Sequence, residues 1–382
     1  MRSSAGSECA WLETRSPHHL FLVDHSPWPR GHDGPSPARG SGHAIVYLSC
    51  RVVMAQITGV SLLASATAAT IFGLRFALIK RHANCYYRQC RNSLEMIDHS
   101  YQPFNADEKE KPYPATRSGV PKKIHQLWHD KNNIPLEIRS NMSNLLESNP
   151  GWSHIIYDHN DIDDYVLQHY GPEMKKAINS FNPKYAICKA DLFRYLVVFK
   201  EGGVYLDAKS SLVGKFDDLI RPDDAFLLSQ WGSIRDPAYQ GYGFWRELRH
   251  IPGGEFHQWY LISVAAHPFL GSVISLVLSN IYNYNPWRIG VGQRGVLNLT
   301  GPIAFSKAIY PIKDLHPHRI IDVDRVGLKY SIFESGIHKS FYKDHYTNLT
   351  TPIIKTSLAA ELTFGVYLKL RNCALSLKRF TS

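Results

Sequence analysis

The stretch PKYAICKADLFRYLVVFKEGGVYLDAKS, residues 183–210, decides the fold. Its first part, 183–200, is rich in apolar residues and is followed by two glycines, which commonly end a helix. A short apolar run then leads directly to Asp207, as in a buried strand. The stretch therefore predicts a helix, a tight turn and a strand that ends in an aspartate.

Elements of the same two kinds alternate before and after this stretch. Alternating helices and apolar strands are typical of an α/β domain with a mostly parallel sheet. We therefore predict such a domain over residues 120–350, followed by a C-terminal amphipathic helix within 351–382. The remaining predicted elements are strands at 121–128, 152–157 and 225–229 and helices at 135–148, 161–169, 268–282 and 357–378.

The composition excludes several other classes of protein. The chain has 382 residues, of which 44% are hydrophobic and 12% aromatic, so it can bury a large core and is not globally disordered. Six cysteines are too few for a disulfide scaffold of this length. The formal net charge of +10 is spread along the chain and forms no basic patch interleaved with aromatics, which argues against nucleic-acid binding.

The N-terminal part of the chain has a different character. Residues 1–51, rich in Ser, Pro, His, Gly and Arg, are predicted to be disordered. The uncharged run 52–74 is long enough to cross a membrane, and we predict an anchor over 52–79, followed by a polar stem over 80–119. A buried helix or a mitochondrial-type targeting helix is the alternative. By the positive-inside rule, the cations that follow the run favour a location of the rest of the chain on the cytosolic side of the membrane.

Three charged residues of the central stretch form the candidate site. Asp191 and Arg194 are three residues apart on the predicted helix and share one face, so a carboxylate and a guanidinium can bind a polyhydroxylated ligand together. Asp207 ends the strand, and ligands of open α/β sheets bind beyond the carboxyl ends of strands. The alternative for the helical pair is a surface ion pair without a functional role.

The order of these motifs resembles that of a family of sugar-transferring enzymes. The helix, the Gly-Gly turn and the strand ending in Asp207 follow the strand PKKIHQLW, residues 121–128, and the turn Asn149-Pro-Gly-Trp152. This order resembles the glycosyltransferases with a DXD motif, which include the initiating α-1,6-mannosyltransferases of yeast and, more distantly, the glucosylating domains of clostridial toxins. The resemblance covers about residues 120–350, including His267-Pro268 and Leu299-Thr-Gly301-Pro302, and is looser after residue 215.

The resemblance implies a fold, substrates and a set of roles. It implies a GT-A fold, a nucleotide-diphosphate sugar as donor, a glycan or glycoconjugate as acceptor and retention of the anomeric configuration. Trp128 would stack on the nucleotide base. Asp191 and Arg194 would hold hydroxyl groups of the donor sugar, and Asp207 would stand first in the DXD motif, near the ribose and the metal. Tyr205 joins them in the expected donor-binding set.

The third residue of the motif departs from the family pattern. In the metal-dependent members the second acid of DXD binds a divalent cation, Mn²⁺ or Mg²⁺, that bridges the diphosphate, but Lys209 occupies this position here. An ammonium group cannot coordinate a cation. We hypothesise that Lys209 takes over part of the role of the cation beside Asp207 in catalysis. The alternative is a catalytically inactive homologue that binds a sugar nucleotide or a glycan.

A late loop and a cellular location complete the expectation. Family members carry a loop with a histidine that closes on the diphosphate, and His345 is our candidate for it. Together with the anchor, the resemblance implies a single-pass protein of the Golgi or endoplasmic reticulum membrane. We therefore predict a membrane-anchored glycosyltransferase that moves a hexose to a glycan or glycoconjugate acceptor and has no nucleic-acid partner.

Overall fold

The computed structural model describes residues 119–333 and 346–381, together with residues 77, 78, 80, 81, 83 and 85, which are helical. The predicted leader and nearly all of the predicted anchor and stem lie outside the described residues, as does His345. No helix in the described part of the chain is long and apolar enough to cross a membrane.

The predicted α/β architecture is confirmed. In chain order, the strands are β1 (Lys123–Leu127), β2 (Ser153–Tyr157), β3 (Gly203–Leu206), β4 (Ser211–Leu212), β5 (Leu227–Leu228), β6 (Tyr260–Ser263), β7 (Arg319–Ile320) and β8 (Leu328–Lys329). The main sheet has the order β2-β1-β3-β6, in which β1 pairs in parallel with β2 and β3, and β6 is antiparallel to β3. Two smaller ladders join β4 to β8 and β5 to β7.

The helices are α1 (Leu136–Glu147), α2 (His159–Asn179), α3 (Ala186–Glu201), α4 (Phe216–Leu219), α5 (Pro268–Tyr282), α6 (Gly292–Leu299), α7 (Pro302–Ile309) and α8 (Leu358–Thr381). The helix predicted at 161–169 is too short. In the structure α2 kinks at Gly171, where φ is 81°. The helix continues after the kink, because Pro172 lies in the first turn of the segment that follows and proline is tolerated at that position. Helices α6 and α7 were not predicted.

The two faces of the main sheet pack against different cores. Side chains alternate along a strand, so Val204 and Leu206 of β3 point to one face and Tyr205 points to the other. The first two pack with Ile124 of β1 in one buried cluster. Tyr205 lies in a larger cluster with residues of α3 and α5. Helix α3 is therefore buried on nearly all sides, which explains its almost continuous apolar sequence.

Two glycines form the turn between α3 and β3. Gly202 and Gly203 have positive φ angles of 66° and 95°, which residues with a Cβ rarely adopt. A Cβ on Gly203 would also lie 2.6 Å from the carbonyl oxygen of Lys123 on β1. The turn needs glycine for its backbone conformation and for the close approach of the two strands. It thereby fixes the point at which Asp207 leaves the sheet.

Candidate active site

Asp191, Arg194 and Asp207 meet at the carboxyl end of β3. The two residues of α3 are buried, with exposed fractions of 1% for Asp191 and 3% for Arg194. Arg194 Nη2 lies 3.2 Å from Asp191 Oδ1, and Arg194 Nη1 lies 3.2 Å from Asp207 Oδ1. The helical pair is therefore not a surface ion pair. It is buried, and it is bridged to the acid that ends the strand.

The carboxylate of Asp191 is held by two neutral side chains as well as by Arg194. The hydroxyl of Thr300 donates a hydrogen bond to Oδ2 at 2.9 Å, and the amide of Gln258 donates to Oδ1 at 3.4 Å. Burial raises the pKa of Asp191 to about 6, although the nearby Arg194 and the hydrogen bond from Thr300 oppose the rise. The group therefore titrates close to neutral pH while its orientation is fixed.

Arg194 is a permanent cation inside the domain. Its Nη1 donates to the backbone carbonyl of Gln258 at 2.8 Å, and its guanidinium carbon lies 4.9 Å from the centre of the Tyr205 ring. Burial lowers the pKa of Arg194. Nearby groups, above all Asp207, raise this pKa by more than burial lowers it, so the net shift is upward. Its Nε is buried and has no hydrogen-bond partner in the described part of the chain.

Asp207 is the accessible carboxylate of the group. Its side chain is 22% exposed, whereas that of Asp191 is 2% exposed. The hydroxyl of Tyr205 lies 3.4 Å from Asp207 Oδ1 and donates to it. The backbone N–H of Asp207 donates to the carbonyl of Trp259 at 2.9 Å, so the chain next to β6 holds the end of β3. A ligand at this edge of the sheet meets Asp207 before the buried pair.

Lys209 is held on an aromatic ring. Its Nζ donates to the hydroxyl of Tyr330 at 2.9 Å and lies 4.0 Å from the centre of the same ring. The hydroxyl of Ser210 donates to the backbone carbonyl of Tyr330 at 2.7 Å, which keeps the two segments together. The ammonium is therefore positioned at the edge of the site by a hydrogen bond and a cation–π contact.

The residues present do not match a conventional DXD metal site. Divalent cations such as Mg²⁺ and Mn²⁺ need oxygen ligands, and Lys209 replaces one of the two carboxylates of the motif. The other carboxylate, Asp207, already has Oδ1 facing Arg194 and the Tyr205 hydroxyl. Over residues 119–333 and 346–381, no group of three His, Cys, Asp or Glu side chains could hold a metal ion.

Trp128 lies beside the middle residue of the motif. The residue is 7% exposed and packs in a small cluster with Ile138, Met142 and Ala208. The indole N–H donates to the backbone carbonyl of Asn133 at 3.2 Å. The structure thus brings Trp128 to the same edge of the sheet as Asp207, and its role in stacking on a base remains a prediction.

Several residues of the site were not predicted. Gln258 and Thr300 bind Asp191. The single O–H of Tyr195 is shared between the side-chain carbonyl of Gln258 and the backbone carbonyl of Thr300, the latter at 2.8 Å. Burial raises the pKa of Tyr346, and the nearby Asp191 adds to the rise. Thr300 lies in the later segment of the resemblance, whereas Gln258 and Tyr346 carry no sequence signal that we could have used.

Comparison with known proteins confirms the predicted resemblance. Residues 116–227 match the model of the glycosyltransferase sugar-binding region containing a DXD motif. This region includes Trp128, Asp191, Arg194, Asp207 and Lys209.

The chain is also similar to named mannosyltransferases. It is 28% identical over 228 residues to an initiation-specific α-1,6-mannosyltransferase of Candida albicans, covering 55% of each chain. It is 24% identical over 221 residues to the protein of the same name in Schizosaccharomyces pombe, covering 55% of this chain and 52% of that one. It is 29% identical over 110 residues to inositol phosphoceramide mannosyltransferase 1 of S. pombe, covering 28% and 33%. The chain thus spans about half the length of the first two relatives.

Among solved structures, the chain is similar to the PaToxG glycosyltransferase. The TM-score is 0.35 at 17% sequence identity, and the match covers 78% of this chain and 98% of that chain.

Proposed function

We propose that this protein is a glycosyltransferase with a GT-A nucleotide-sugar-binding domain. It transfers a hexose from a nucleotide-diphosphate sugar to a glycan or glycoconjugate acceptor, with retention of the anomeric configuration. The observation that carries the proposal is the buried Arg194, which lies between Asp191 and Asp207 within the matched region. The named mannosyltransferases among its relatives make mannose the first donor sugar to test.

The proposed roles follow from charge and position. Asp191 and Arg194 bind hydroxyl groups of the donor sugar, because a fixed carboxylate accepts hydrogen bonds and a guanidinium donates them. Asp207 is the exposed member and lies near the ribose. Trp128 stacks on the base, and the Tyr205 ring supports the guanidinium.

Lys209 acts on the leaving group in this proposal. When the bond between C1 of the sugar and the diphosphate breaks, negative charge grows on the phosphate oxygens, while a new bond forms between C1 and the oxygen of the acceptor hydroxyl, whose proton passes to the leaving diphosphate. A cation fixed in advance at this place stabilises that charge without reorganising. The contact with Tyr330 holds the Lys209 ammonium in such a fixed position. His345 of the late loop is the candidate for a second contact to the diphosphate.

The membrane location belongs to the same proposal. We place the protein in the Golgi or endoplasmic reticulum membrane, with residues 52–79 as the anchor and the domain acting on a glycan or glycoconjugate. The uncharged run 52–74 supports the anchor, whereas the names of the relatives describe activities and not locations.

A second candidate function rests on Lys209 itself. Because the second acid of the motif is missing, the domain could bind a sugar nucleotide or a glycan without transferring the sugar. This candidate and the enzyme share the donor site but differ in turnover.

A two-step experiment tests the proposal. In the first step the full chain is screened by thermal shift against UDP- and GDP-hexoses and the matching free nucleotides, since a ligand that binds the folded state raises its stability. A sugar nucleotide should raise the melting temperature more than its free nucleotide. Asp191→Ala should remove this difference, whereas Asp314→Ala, an exposed acid paired with Lys313, should leave it unchanged.

The second step separates the two candidates. Hydrolysis of the bound donor, measured without acceptor, identifies an enzyme, whereas binding without hydrolysis or transfer identifies the inactive homologue. Normal binding of the sugar nucleotide by folded Asp191→Ala protein would show that the site is wrongly assigned.

A further inference from the structure

Four aromatic rings form a connected group beside the candidate active site. Trp231 lies 5.5 Å from Tyr239, 5.2 Å from Tyr242 and 5.1 Å from Tyr330, measured between ring centres. Tyr239 in turn lies 5.5 Å from both other tyrosines. We call these four residues the aromatic cluster. Three of them come from the segment between β5 and β6, and Tyr330 follows β8.

The cluster is joined directly to the motif residues. Tyr330 holds the ammonium of Lys209 at 2.9 Å. The ring of Trp259 packs 5.7 Å from that of Tyr330, and the backbone carbonyl of Trp259 accepts the N–H of Asp207. The aromatic cluster therefore borders the place where the donor sugar would lie in the proposed function.

The cluster is reachable from solvent and carries unused polar groups. Tyr242 is 44% exposed and Tyr239 is half-buried. Neither of their hydroxyls hydrogen bonds to a described residue. Burial raises the pKa of both phenols, and the nearby Tyr330 adds to the rise.

Two buried nitrogen atoms beside the cluster also lack partners in the described part of the chain. They are His257 Nε2 and Trp259 Nε1, on residues that are 3% and 4% exposed. The His257 ring lies 4.7 Å from Trp231, and its other nitrogen, Nδ1, bonds to the hydroxyl of Ser229 at 2.8 Å. Buried polar atoms are nearly always paired in folded proteins. These two nitrogens are polar groups beside the cluster that no described residue satisfies.

The segment is held in shape before any ligand binds. Glu255, which is 5% exposed, accepts the indole N–H groups of both Trp231 and Trp245. Gly243 has a φ of 82°, and a Cβ there would lie 2.5 Å from the Trp231 ring. A rigid aromatic surface binds a ligand at lower entropic cost than a mobile one.

We infer that the aromatic cluster binds a six-membered polyhydroxylated ring of the acceptor, next to the donor site. The apolar C–H face of such a ring packs on an aromatic surface, and its hydroxyls match the phenol groups and the Lys209 ammonium at the edge. The ring belongs either to a sugar or to an inositol headgroup, which share this chemistry. The inference rests on the proposed function, because it takes the ring to be part of the acceptor.

Saturation-transfer NMR on the full chain tests the site without requiring turnover. The probes are methyl α-D-mannopyranoside and myo-inositol, each titrated separately, and they distinguish the two sources of the ring. We expect saturation to reach the ring protons of at least one probe. In Tyr239→Leu/Tyr242→Leu the Kd should rise about tenfold, as expected for the loss of stacking contacts. If the double variant is misfolded by circular dichroism, the single change Tyr242→Leu replaces it.

Phe244→Leu is the matched control. Phe244 lies on the same segment and is 64% exposed, but it is not part of the cluster. Equal weakening by Phe244→Leu, an unchanged Kd in the cluster variants or absence of transfer to both probes would overturn the inference. Donor hydrolysis by the unsubstituted chain tests the proposed function separately, so failure of the one is distinguishable from failure of the other.

Discussion

The guanidinium of Arg194 on α3 lies 3.2 Å from the carboxylate of Asp207 at the end of β3. The two residues are separated by the Gly202-Gly203 turn, so a contact between a helix and the strand that follows it depends on the tightness of that turn. Because the same guanidinium also reaches Asp191, one cation fixes two acids that differ in exposure. The guanidinium thus links a buried acid to an accessible acid.

The first prediction concerns the two terminal guanidinium nitrogens of Arg194, which contact Asp191 and Asp207. Arg194→Lys keeps the charge but replaces two guanidinium nitrogens with one ammonium, which cannot bridge both acids in the same geometry. Loss of one charged hydrogen bond costs about 1.5–3 kcal/mol, so the Kd of the sugar nucleotide should rise at least about tenfold. Isothermal titration calorimetry measures the change.

Arg235→Lys provides the control for this prediction. Arg235 also lies between two aspartates, with Nη2 at 2.7 Å from Asp322 and Nη1 at 3.6 Å from Asp324, but its side chain is 58% exposed. Its replacement should leave the Kd unchanged. Equal affinity of Arg194→Lys and the unsubstituted protein would contradict the assigned role.

The second prediction concerns the pH dependence of donor use. Burial raises the pKa of Asp191 to about 6, so the carboxyl group takes up a proton and loses its charge as the pH falls through this value. The kcat/KM for donor hydrolysis should therefore fall on the acid side of about pH 6. In Asp191→Asn this acid limb should be absent. An acid limb of the same midpoint in that variant would assign the titration to another group.

The free energy of unfolding should also depend on the protonation of Asp191, but in the opposite direction: protonation lowers donor use and raises stability. The folded-state pKa of Asp191 lies above the value of an unfolded aspartate, about 3.9, so the folded state binds the extra proton between these two values. The contribution of Asp191 to the free energy of unfolding therefore decreases as the pH rises from about 4 to about 6. Urea unfolding of Asp191→Asn at pH 4.5 and 6.5, compared with the unsubstituted chain, measures this contribution.

The central stretch could be predicted from sequence because its signals are local. The apolar residues of α3 end at two glycines, and the next apolar run ends at Asp207. The mostly parallel sheet followed from the alternation of such elements. Asp191 and Arg194 were recognised because residues three apart share a helix face. Their burial follows from the packing of α3 between the sheet and α5, which no local pattern states.

The parts that were missed depend on contacts between distant segments. Strand β6 has only four residues, and its antiparallel position beside β3 is fixed by pairing with that strand. Gln258 lies two residues before this strand, so the pairing of the strand also determines the position of Gln258. Thr300 lies between the short helices α6 and α7, and its role depends on where they place it. The aromatic cluster likewise joins residues about 90 positions apart, Tyr239 and Tyr330.

The third prediction concerns the replacement of a metal by Lys209. If the ammonium acts on the diphosphate, donor hydrolysis should persist in EDTA, and Lys209→Ala should lower kcat. Lys209→Asp restores the second acid of the motif, so its activity should require added Mn²⁺ or Mg²⁺. Lys329→Ala, an exposed lysine next to Tyr330, is the control and should behave like the unsubstituted chain. Complete loss of the unsubstituted protein's activity in EDTA would refute this role of Lys209.

The fourth prediction separates two reasons why a position requires glycine: its backbone conformation and the lack of space for a Cβ. Gly151 and Gly203 have similar φ angles, 87° and 95°, but a Cβ on Gly151 would meet no atom within 4 Å, whereas one on Gly203 would lie 2.6 Å from the carbonyl oxygen of Lys123. Gly151→Ala should therefore cost only the strain of a left-handed backbone, about 1–2 kcal/mol in the free energy of unfolding. Gly203→Ala should cost more, because β3 must also move away from β1.

The same displacement should reach the site, since Asp207 lies four residues beyond Gly203. Gly203→Ala should reduce the melting-temperature shift caused by the sugar nucleotide, and Gly151→Ala should preserve it. Chemical unfolding and thermal shift on the two variants give both readouts. If the two substitutions lowered the free energy of unfolding equally and left the ligand shift intact, the close approach of β3 to β1 would not be what positions Asp207.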